Sequence, residues 1–218
     1  ALDNWLENNS DVQLDLEEAD LSGVNLAGTK IRNANLKGAN LTGARLNRAN
    51  LAGADLSGVD LSEADLGQAG MSGVNLTSAN LTNVNLFWAD MKGAVLKNAV
   101  VRHCRMNRVN LIGADLTAAD FSQSNMIEAD LRNANLTNAR FQSTNMNGAD
   151  LSRAVMPGAD FNLAMIRDSM WIATDVRGAS FLQASLHRSD FTFAKWDDTT
   201  KFPDSFDPED TGHKDVNE

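Results

Sequence analysis

The chain has 218 residues, of which 43% are hydrophobic, and its formal net charge is −10. This length and composition indicate one soluble domain. No stretch approaches the roughly 18 consecutive apolar residues of a membrane span, so we predict no membrane insertion. The single Cys excludes an intramolecular disulfide.

The acidic charge lies at the two ends of the chain. Residues 1–20 carry a net −7 and residues 197–218 a net −6, whereas residues 21–196 hold fourteen acids and seventeen bases, a net +3. A nucleic-acid-binding surface needs basic residues with interleaved aromatic ones and a basic pI, and this chain has neither the interleaving nor the pI. We therefore predict no nucleic-acid partner.

Residues 1–13 precede the regular pattern and are predicted to form an N-terminal cap. The segment Asp3-Asn4-Trp5-Leu6-Glu7 places two large apolar side chains among polar ones. We expect a short helix or turn whose Trp5 and Leu6 cover the start of the body, since the open end of a repeat structure exposes apolar surface and unpaired strand edges.

Residues 14–196 follow one pattern with a period of five. From Leu16 to Trp196 every fifth residue is large and apolar, thirty-seven in succession, the residue two positions earlier is nearly always small, and Asp or Asn usually lies between them. On a helix this period would spread apolar residues over every side, and on a flat strand it would send them to alternate faces. We therefore predict three extended residues and a two-residue corner, with the small and large side chains inside and the Asp or Asn outside.

Two further periodicities support these corners and fix their number. Twelve of the fifteen Gly residues lie two positions after the large residue, where a type II turn needs a positive φ. Like residues also recur every twenty positions, which is four repeats, so a four-sided coil would stack them on one another. Two such sets form predicted core columns: Phe121, Phe141, Phe161 and Phe181, and Met106, Met126 and Met146. The pattern predicts about nine coils, or roughly 45 Å at ~4.8 Å per coil, with right-handed crossovers.

The A(D/N)LXX pattern, as in Ala39-Asn40-Leu41-Thr42-Gly43 and Ala54-Asp55-Leu56-Ser57-Gly58, is similar to that of the pentapeptide-repeat family. The resemblance extends over about residues 14 to 196. It implies an all-β fold, a right-handed quadrilateral parallel β-helix (a solenoid), and a protein without enzymatic activity. Five outward positions depart from Asp or Asn and predict less polar walls: Val95, Val100, Val155, Met165 and Met170.

Residues 197–218 are predicted to form a C-terminal cap and a polar tail. The repeat ends after Trp196, and the segments Phe202-Pro203 and Phe206-Asp207-Pro208 follow it. Eight of the thirteen aromatic residues lie from Phe161 onward. We expect them to broaden and close the last coils; the alternative is a homodimer interface at this end, as in some members of the family.

No group of residues predicts catalysis, a cofactor or a metal site. Cys104 points inward in this register while His103 points outward, so the two cannot share a metal ion. No Ser or Thr has a base with a supporting acid beside it, and the outward Asp residues have no pocket because the interior is filled. We therefore predict that the protein is not an enzyme.

Exposed apolar residues are the best candidates for a contact surface. Phe87 and Trp88 fall at a corner, and Arg108, twenty residues after Trp88, is expected to lie above it and to stack on the indole. Leu182 and Phe193 also fall on corners that should be solvated. These residues form either self-contained surface stacks or a partner-binding patch.

An outward basic set is the second candidate surface. Such a set is most often solvated, and the alternative is docking of an acidic partner. Its members fall on two adjacent coils: Lys92, Lys97, Arg102, Arg105 and Arg108.

These observations predict a non-catalytic rigid scaffold for protein–protein interaction, with an unidentified protein partner. The alternative implied by the resemblance is a DNA-mimicking binder or inhibitor of a type II topoisomerase, which is disfavoured because the repeat body is not acidic. The C-terminal cap is similar to those of cyanobacterial and plastid members, and the chain begins at Ala1 rather than Met. Together these features predict the thylakoid lumen or periplasm after signal cleavage, and otherwise the cytoplasm.

Overall fold

Each five-residue repeat contributes one corner and one bridged residue in the computed structural model, which describes residues 13–208. The bridged residue is the outward one, and its parallel partner lies twenty residues away, from Asp15 with Asn35 to Asp175 with Lys195. Twenty residues are four repeats, so the predicted quadrilateral parallel β-helix is confirmed. No α-helix forms within residues 13–208, and no helix there could span a membrane. Trp5 and Leu6 fall outside the described residues.

The strands are isolated bridges of one residue each, and they build four walls. We number the walls by their first outward residue. The first wall runs from Asp15 to Lys195, the second from Asp20 to Lys201, the third from Asn25 to Ser185 and the fourth from Lys30 to Asp190.

The backbone of each repeat is bonded to both neighbouring coils. The N–H of Leu36 donates to the carbonyl of Asp55 (2.7 Å), and the N–H of Gly38 donates to the carbonyl of Ser57 (2.9 Å). Asp55 donates in turn to the carbonyl of Ala34 in the coil before (2.9 Å). A fourth bond, from residue i+3 to residue i, closes the corner, so the backbone is satisfied without helices or long strands.

The corners share one backbone conformation. The second corner residue, two positions after the large apolar one, has a positive φ in all 36 repeats from Glu18 to Phe193, and all twelve glycines predicted at this position adopt it. The other 24 corners hold residues with a side chain, for which the left-handed region costs about 1–2 kcal/mol. The ladder between coils therefore imposes the corner geometry, and Gly only lowers its cost.

Inward side chains fill the interior in stacked columns. Trp171 lies edge-on between Phe161 and Phe181, with centroid distances of 5.2 and 5.4 Å. Four parallel rings lie 4.9 to 5.1 Å apart and within 5° of parallel, as a rise of one coil requires: Phe121, Phe141, Phe161 and Phe181. The next column buries three thioethers completely: Met106, Met126 and Met146.

Outward Asp and Asn residues have two roles in the walls. Their Oδ1 atom accepts the corner N–H two residues later, as Asp60 does from Ser62 (2.9 Å). Where Asn follows Asp in a column, its Nδ2 usually donates to the carboxylate one coil earlier, as Asn80 does to Asp60 (3.1 Å), whereas Asn135 donates to Thr117 Oγ1. Side chains and backbone thus form parallel ladders that hold each wall.

Two departures from Asp or Asn show how the corner N–H is accommodated. Beside Met165, the N–H of Arg167 donates to the side-chain oxygen of Asn147 one coil earlier (2.9 Å). After Val155 the corner residue is Pro157, which has no N–H to satisfy. Both walls keep their geometry without the usual outward acceptor.

The β-helix continues for one repeat beyond Trp196, after a one-residue insertion. The bridge partner of Ser180 is Lys201, twenty-one residues later. Phe202 then stacks on Phe181 at 5.4 Å and 3°, which extends the column to five rings. The coil therefore extends past the point where the five-residue pattern stops in the sequence.

The corner conformation predicts opposite effects of the same substitution at two positions. Ala118 has a φ of 57°, so Ala118→Gly relieves about 1–2 kcal/mol of strain against an entropic loss of about 0.4–1 kcal/mol. We expect a gain of about 0.5–1 kcal/mol in the free energy of unfolding, measured by urea denaturation. Ala52→Gly, at a first corner position without a positive φ, is the matched control and should lower it. Shifts in the same direction would contradict the prediction.

Candidate functional site

The predicted aromatic contact forms a short column on the corner between the third and fourth walls. Trp88 is 52% exposed, and the Arg108 guanidinium lies 5.6 Å from its ring centroid. Arg108 Nε donates to a carboxylate oxygen of Glu128 at 2.6 Å. Phe87 is half-buried, with its ring 6.2 Å from that of Trp88. The structure thus brings Phe87, Trp88 and Arg108 together in one surface stack.

A second cation, which sequence reasoning did not pair with an aromatic ring, lies over Phe87. The Arg105 guanidinium is 4.9 Å from the Phe87 centroid. The two residues are eighteen positions apart, the spacing at which a first corner residue reaches an outward residue of the next coil. Lys97 and Asp115 show the same spacing, with Nζ and Oδ2 3.1 Å apart. This spacing is the signal that would have identified Arg105.

Carboxylates neutralise much of the predicted basic set. Arg102 Nε and Nη2 both donate to Asp120 Oδ2, at 2.8 and 2.6 Å. Burial of Asp120 opposes its ionisation, but hydrogen bonds from Arg102 and Ser122 hold its pKa below the ordinary value. Lys97 and Arg108 are also in ion pairs. Three of the five basic side chains are therefore already paired within the protein.

Leu182 lies in an apolar groove on the corner between the second and third walls. Leu163, one coil earlier, is 54% exposed, and the two residues with Pro203 line a cavity of about 640 Å³. Phe193, 73% exposed, lies on the diagonally opposite corner. The structure therefore does not bring Leu182 and Phe193 together, and both are separate from the Trp88 corner.

Cys104 occupies the small inward column, and its neighbour His103 lies on the exposed corner. The Cys104 Sγ donates to the carbonyl of Leu81 at 2.8 Å, and burial raises the pKa of the thiol to about 12. Within residues 13–208 no group of three His, Cys, Asp or Glu side chains is placed to hold a metal ion.

Buried hydroxyl groups in the same column contact backbone groups. Ser124 Oγ accepts the N–H of Cys104 (2.9 Å) and donates to the carbonyl of Val101 (2.7 Å). Thr144 Oγ1 donates to the carbonyl of Phe121 (3.0 Å). These hydroxyls therefore complete the backbone bonding of the coil, and neither is bonded to a base that could activate it.

The family profile for pentapeptide repeats (8 copies) matches residues 19–58, 60–98, 94–133 and 134–169. These segments include well over half of the 218 residues. The chain belongs to the pentapeptide-repeat family. In the structure the four matched segments form one continuous β-helix, since their bridges follow one another without a break.

Solved pentapeptide-repeat structures are similar to this chain, whereas no curated protein sequence matches it. Trypsin-treated QnrB1, a plasmid-mediated fluoroquinolone resistance protein, aligns with a TM-score of 0.68 and 19% identity over 85% of this chain and 90% of that one. HetL, involved in heterocyst differentiation regulation in the cyanobacterium Nostoc, is 24% identical over 87% and 92%, with a TM-score of 0.39. A pentapeptide-repeat protein of the Arabidopsis thaliana thylakoid lumen is 40% identical over 45% and 69%, with a TM-score of 0.45. The alignment with QnrB1 supports the fold alone.

Burial of Cys104 predicts a thiol that is inert until the protein unfolds. Because its pKa is raised from 9.0 to about 12, the thiolate fraction at pH 8 is about a thousandfold lower than in the unfolded chain. We expect no reaction with a chromogenic disulfide reagent at pH 8 in the native protein, and one equivalent in guanidinium chloride. The contribution of this thiol to stability is present below about pH 9 and is lost as the pH rises towards 12.

A matched control is a Cys placed outside the coil. In a Cys104→Ala background, Ser72→Cys puts a thiol at an exposed corner, where it should react in the native state. Rapid native reaction of Cys104 itself would show that the inward column is open to solvent.

Proposed function

We propose that the protein is a non-catalytic, rigid scaffold whose walls and corners bind another protein. The observation that carries this proposal is the filled interior. Inward side chains from Ile31 to Phe181 are at most 2% exposed where they are apolar, so the coil has an outer surface available for contact and a packed core. A binding surface, rather than an enclosed reaction site, fits this arrangement best.

Rigidity supports the same proposal. Backbone and side-chain ladders fix the position of each outward residue before any partner arrives. Binding then orders little of the scaffold, so less conformational entropy opposes association than with a flexible loop. A coil whose 36 corners share one backbone conformation suits a role that needs fixed spacing between contacts.

The Trp88 corner is the contact surface that we favour. Trp and Arg are enriched among the residues that dominate binding energy at interfaces, and Trp88 keeps 52% of its surface exposed although Arg108 lies over it. Leu182 and Phe193 are weaker candidates, because Leu and Phe are not among the residue types that most often dominate binding energy at interfaces.

Mimicry of DNA towards a type II topoisomerase is less well supported. Such mimicry needs a band of negative charge along the rod, and residues 21–196 carry a net +3. Several outward carboxylates are also neutralised, as Asp120 is by Arg102 and Asp115 by Lys97. The likeness to QnrB1 at 19% identity supports a shared fold only.

The favoured surface can be tested by affinity capture from the organism that makes the protein. We expect the Phe87→Ala, Trp88→Ala double variant to lose its partner at least tenfold relative to the wild type, because both anchoring rings are removed; each truncation at such an anchor costs about 2 kcal/mol or more. Ile112→Ala, at the equivalent corner position on another edge, is the control and should retain the partner. Equal recovery by all three proteins would refute this contact surface.

A homodimer through the C-terminal end is a narrower proposal. Most of the described aromatic residues from Phe161 onward stack inside the coil, whereas the Phe193 side chain is 73% exposed. If Phe193 forms a dimer contact, sedimentation velocity of the wild type should show a concentration-dependent dimer that Phe193→Ser abolishes. Leu163→Ser, on the opposite corner, should leave the dimer intact. A wild-type monomer at every concentration would refute the dimer.

A further inference from the structure

The third wall ends at Ser185 with its backbone ladder incomplete. In the last complete step, the N–H groups of Ile166 and Asp168 donate to the carbonyls of Ser185 and His187, at 2.9 and 3.1 Å. The carbonyl of Ala164 accepts from the N–H of Ser185 at 2.9 Å. A strand that is added to a wall therefore uses three backbone bonds at fixed spacing.

One coil later the same three groups have no protein partner among residues 13–208. They are the N–H groups of Leu186 and Arg188 and the carbonyl of Ala184. By the repeat of the ladder they face the position that the next strand would occupy. They form an open parallel edge on the third wall, which we call the open edge.

The neighbouring second wall shows what the addition of a strand looks like. There Lys201 donates its N–H to the carbonyl of Ala179 (2.9 Å) and accepts from Phe181 at its own carbonyl (2.7 Å). The chain thus adds a last strand to the second wall and then does not add one to the third.

The segment that follows passes the open edge without pairing to it. The N–H of Phe206 donates within the segment, to the carbonyl of Pro203 (3.0 Å), and its ring packs on Phe191 at 5.1 Å. Between this segment and the edge lies a groove of about 430 Å³, lined on the edge side by residues 185–188 and on the other side by Phe206 and Asp207. The interior is covered, while Leu186 and Arg188 line the groove beside the edge.

We propose that the open edge binds an extended segment of a partner protein, which adds one parallel strand to the third wall. The central residue of that segment donates its N–H to the carbonyl of Ala184 and accepts the N–H of Leu186. The carbonyl two residues later accepts the N–H of Arg188. Strand addition of this kind takes its affinity from main-chain bonds and its specificity from alternate side chains.

The surroundings of the edge define the side chains that fit. The residues before and after the central one point inward, where Phe206 already covers the core, so they must be small. The central side chain points outward above Ser185, whose Oγ accepts from Arg167 Nε at 2.8 Å, and beside the exposed His187. An Asp there lies near the Arg167 guanidinium and the Ser185 hydroxyl, so the segment is small–Asp–small.

This inference rests on the proposed scaffold function and specifies one partner class for it. It uses a surface remote from the Trp88 corner, so each can fail without the other. A null result at the open edge leaves the capture experiment with the Phe87 and Trp88 variants unaffected.

The test uses the full ¹⁵N-labelled chain and the peptide acetyl-Ser-Ala-Asp-Ala-Ser-Gly-amide. We expect the peptide to shift the amide resonances of Leu186 and Arg188 and to slow their exchange with water at least about tenfold. A peptide N-methylated at Asp should lose the effect, because that N–H bonds to Ala184. A peptide N-methylated at the following Ala should retain it, because that N–H points away from the edge.

Four results would overturn the proposal. The first is that the peptide leaves both amides unaffected. The second is that both N-methylated peptides act alike, which would indicate side-chain binding without strand addition. Slow exchange before any peptide is added would show that the chain itself closes the edge. Protection that rises with protein concentration would assign the edge to a second copy.

Discussion

The structure depends on one constraint: the backbone N–H and C=O groups of each repeat must form hydrogen bonds with partners one coil away on either side. Leu36 and Gly38 donate forward, and Asp55 donates back to Ala34. An insertion in the middle of the chain would shift every later residue out of its column unless a corner absorbed it, as the corner before Lys201 absorbs one residue. The uninterrupted register from Leu16 to Trp196 follows from this requirement, as does the position of the one insertion at the very end.

The same constraint determines what sequence reasoning could recover. Features that recur in every coil can be predicted from the sequence, because like residues stack. The spacing of Phe121 and Phe141 therefore indicated the number of sides, and the glycines indicated the corners. Features that depend on a local exception could not be predicted. Phe202 belongs to the Phe column, yet the one-residue insertion before it hides the spacing. The stack of Arg105 on Phe87 was missed because a contact between a corner and the next wall has its own interval.

The candidate contact residues illustrate a further limit. Their positions on corners followed from the register, so Phe87, Trp88 and Arg108 could be placed side by side. The same register separates Leu182 from Phe193, because their corners are two repeats apart on a four-sided coil and therefore diagonally opposite. The unpaired backbone groups of Leu186 could not be predicted from side-chain patterns, because they result from the path of the following segment.

The pairing of Val155 with Pro157 has a consequence for how such surfaces diversify. An apolar residue replaces the outward acceptor, and the imino acid removes the donor that the acceptor would have served. Changes of this kind affect one repeat only, because they leave no backbone group without a hydrogen-bond partner in the adjoining repeats. Outward residues can therefore be substituted one site at a time, during evolution or in grafting experiments, while the apolar interior and the path of the chain stay the same.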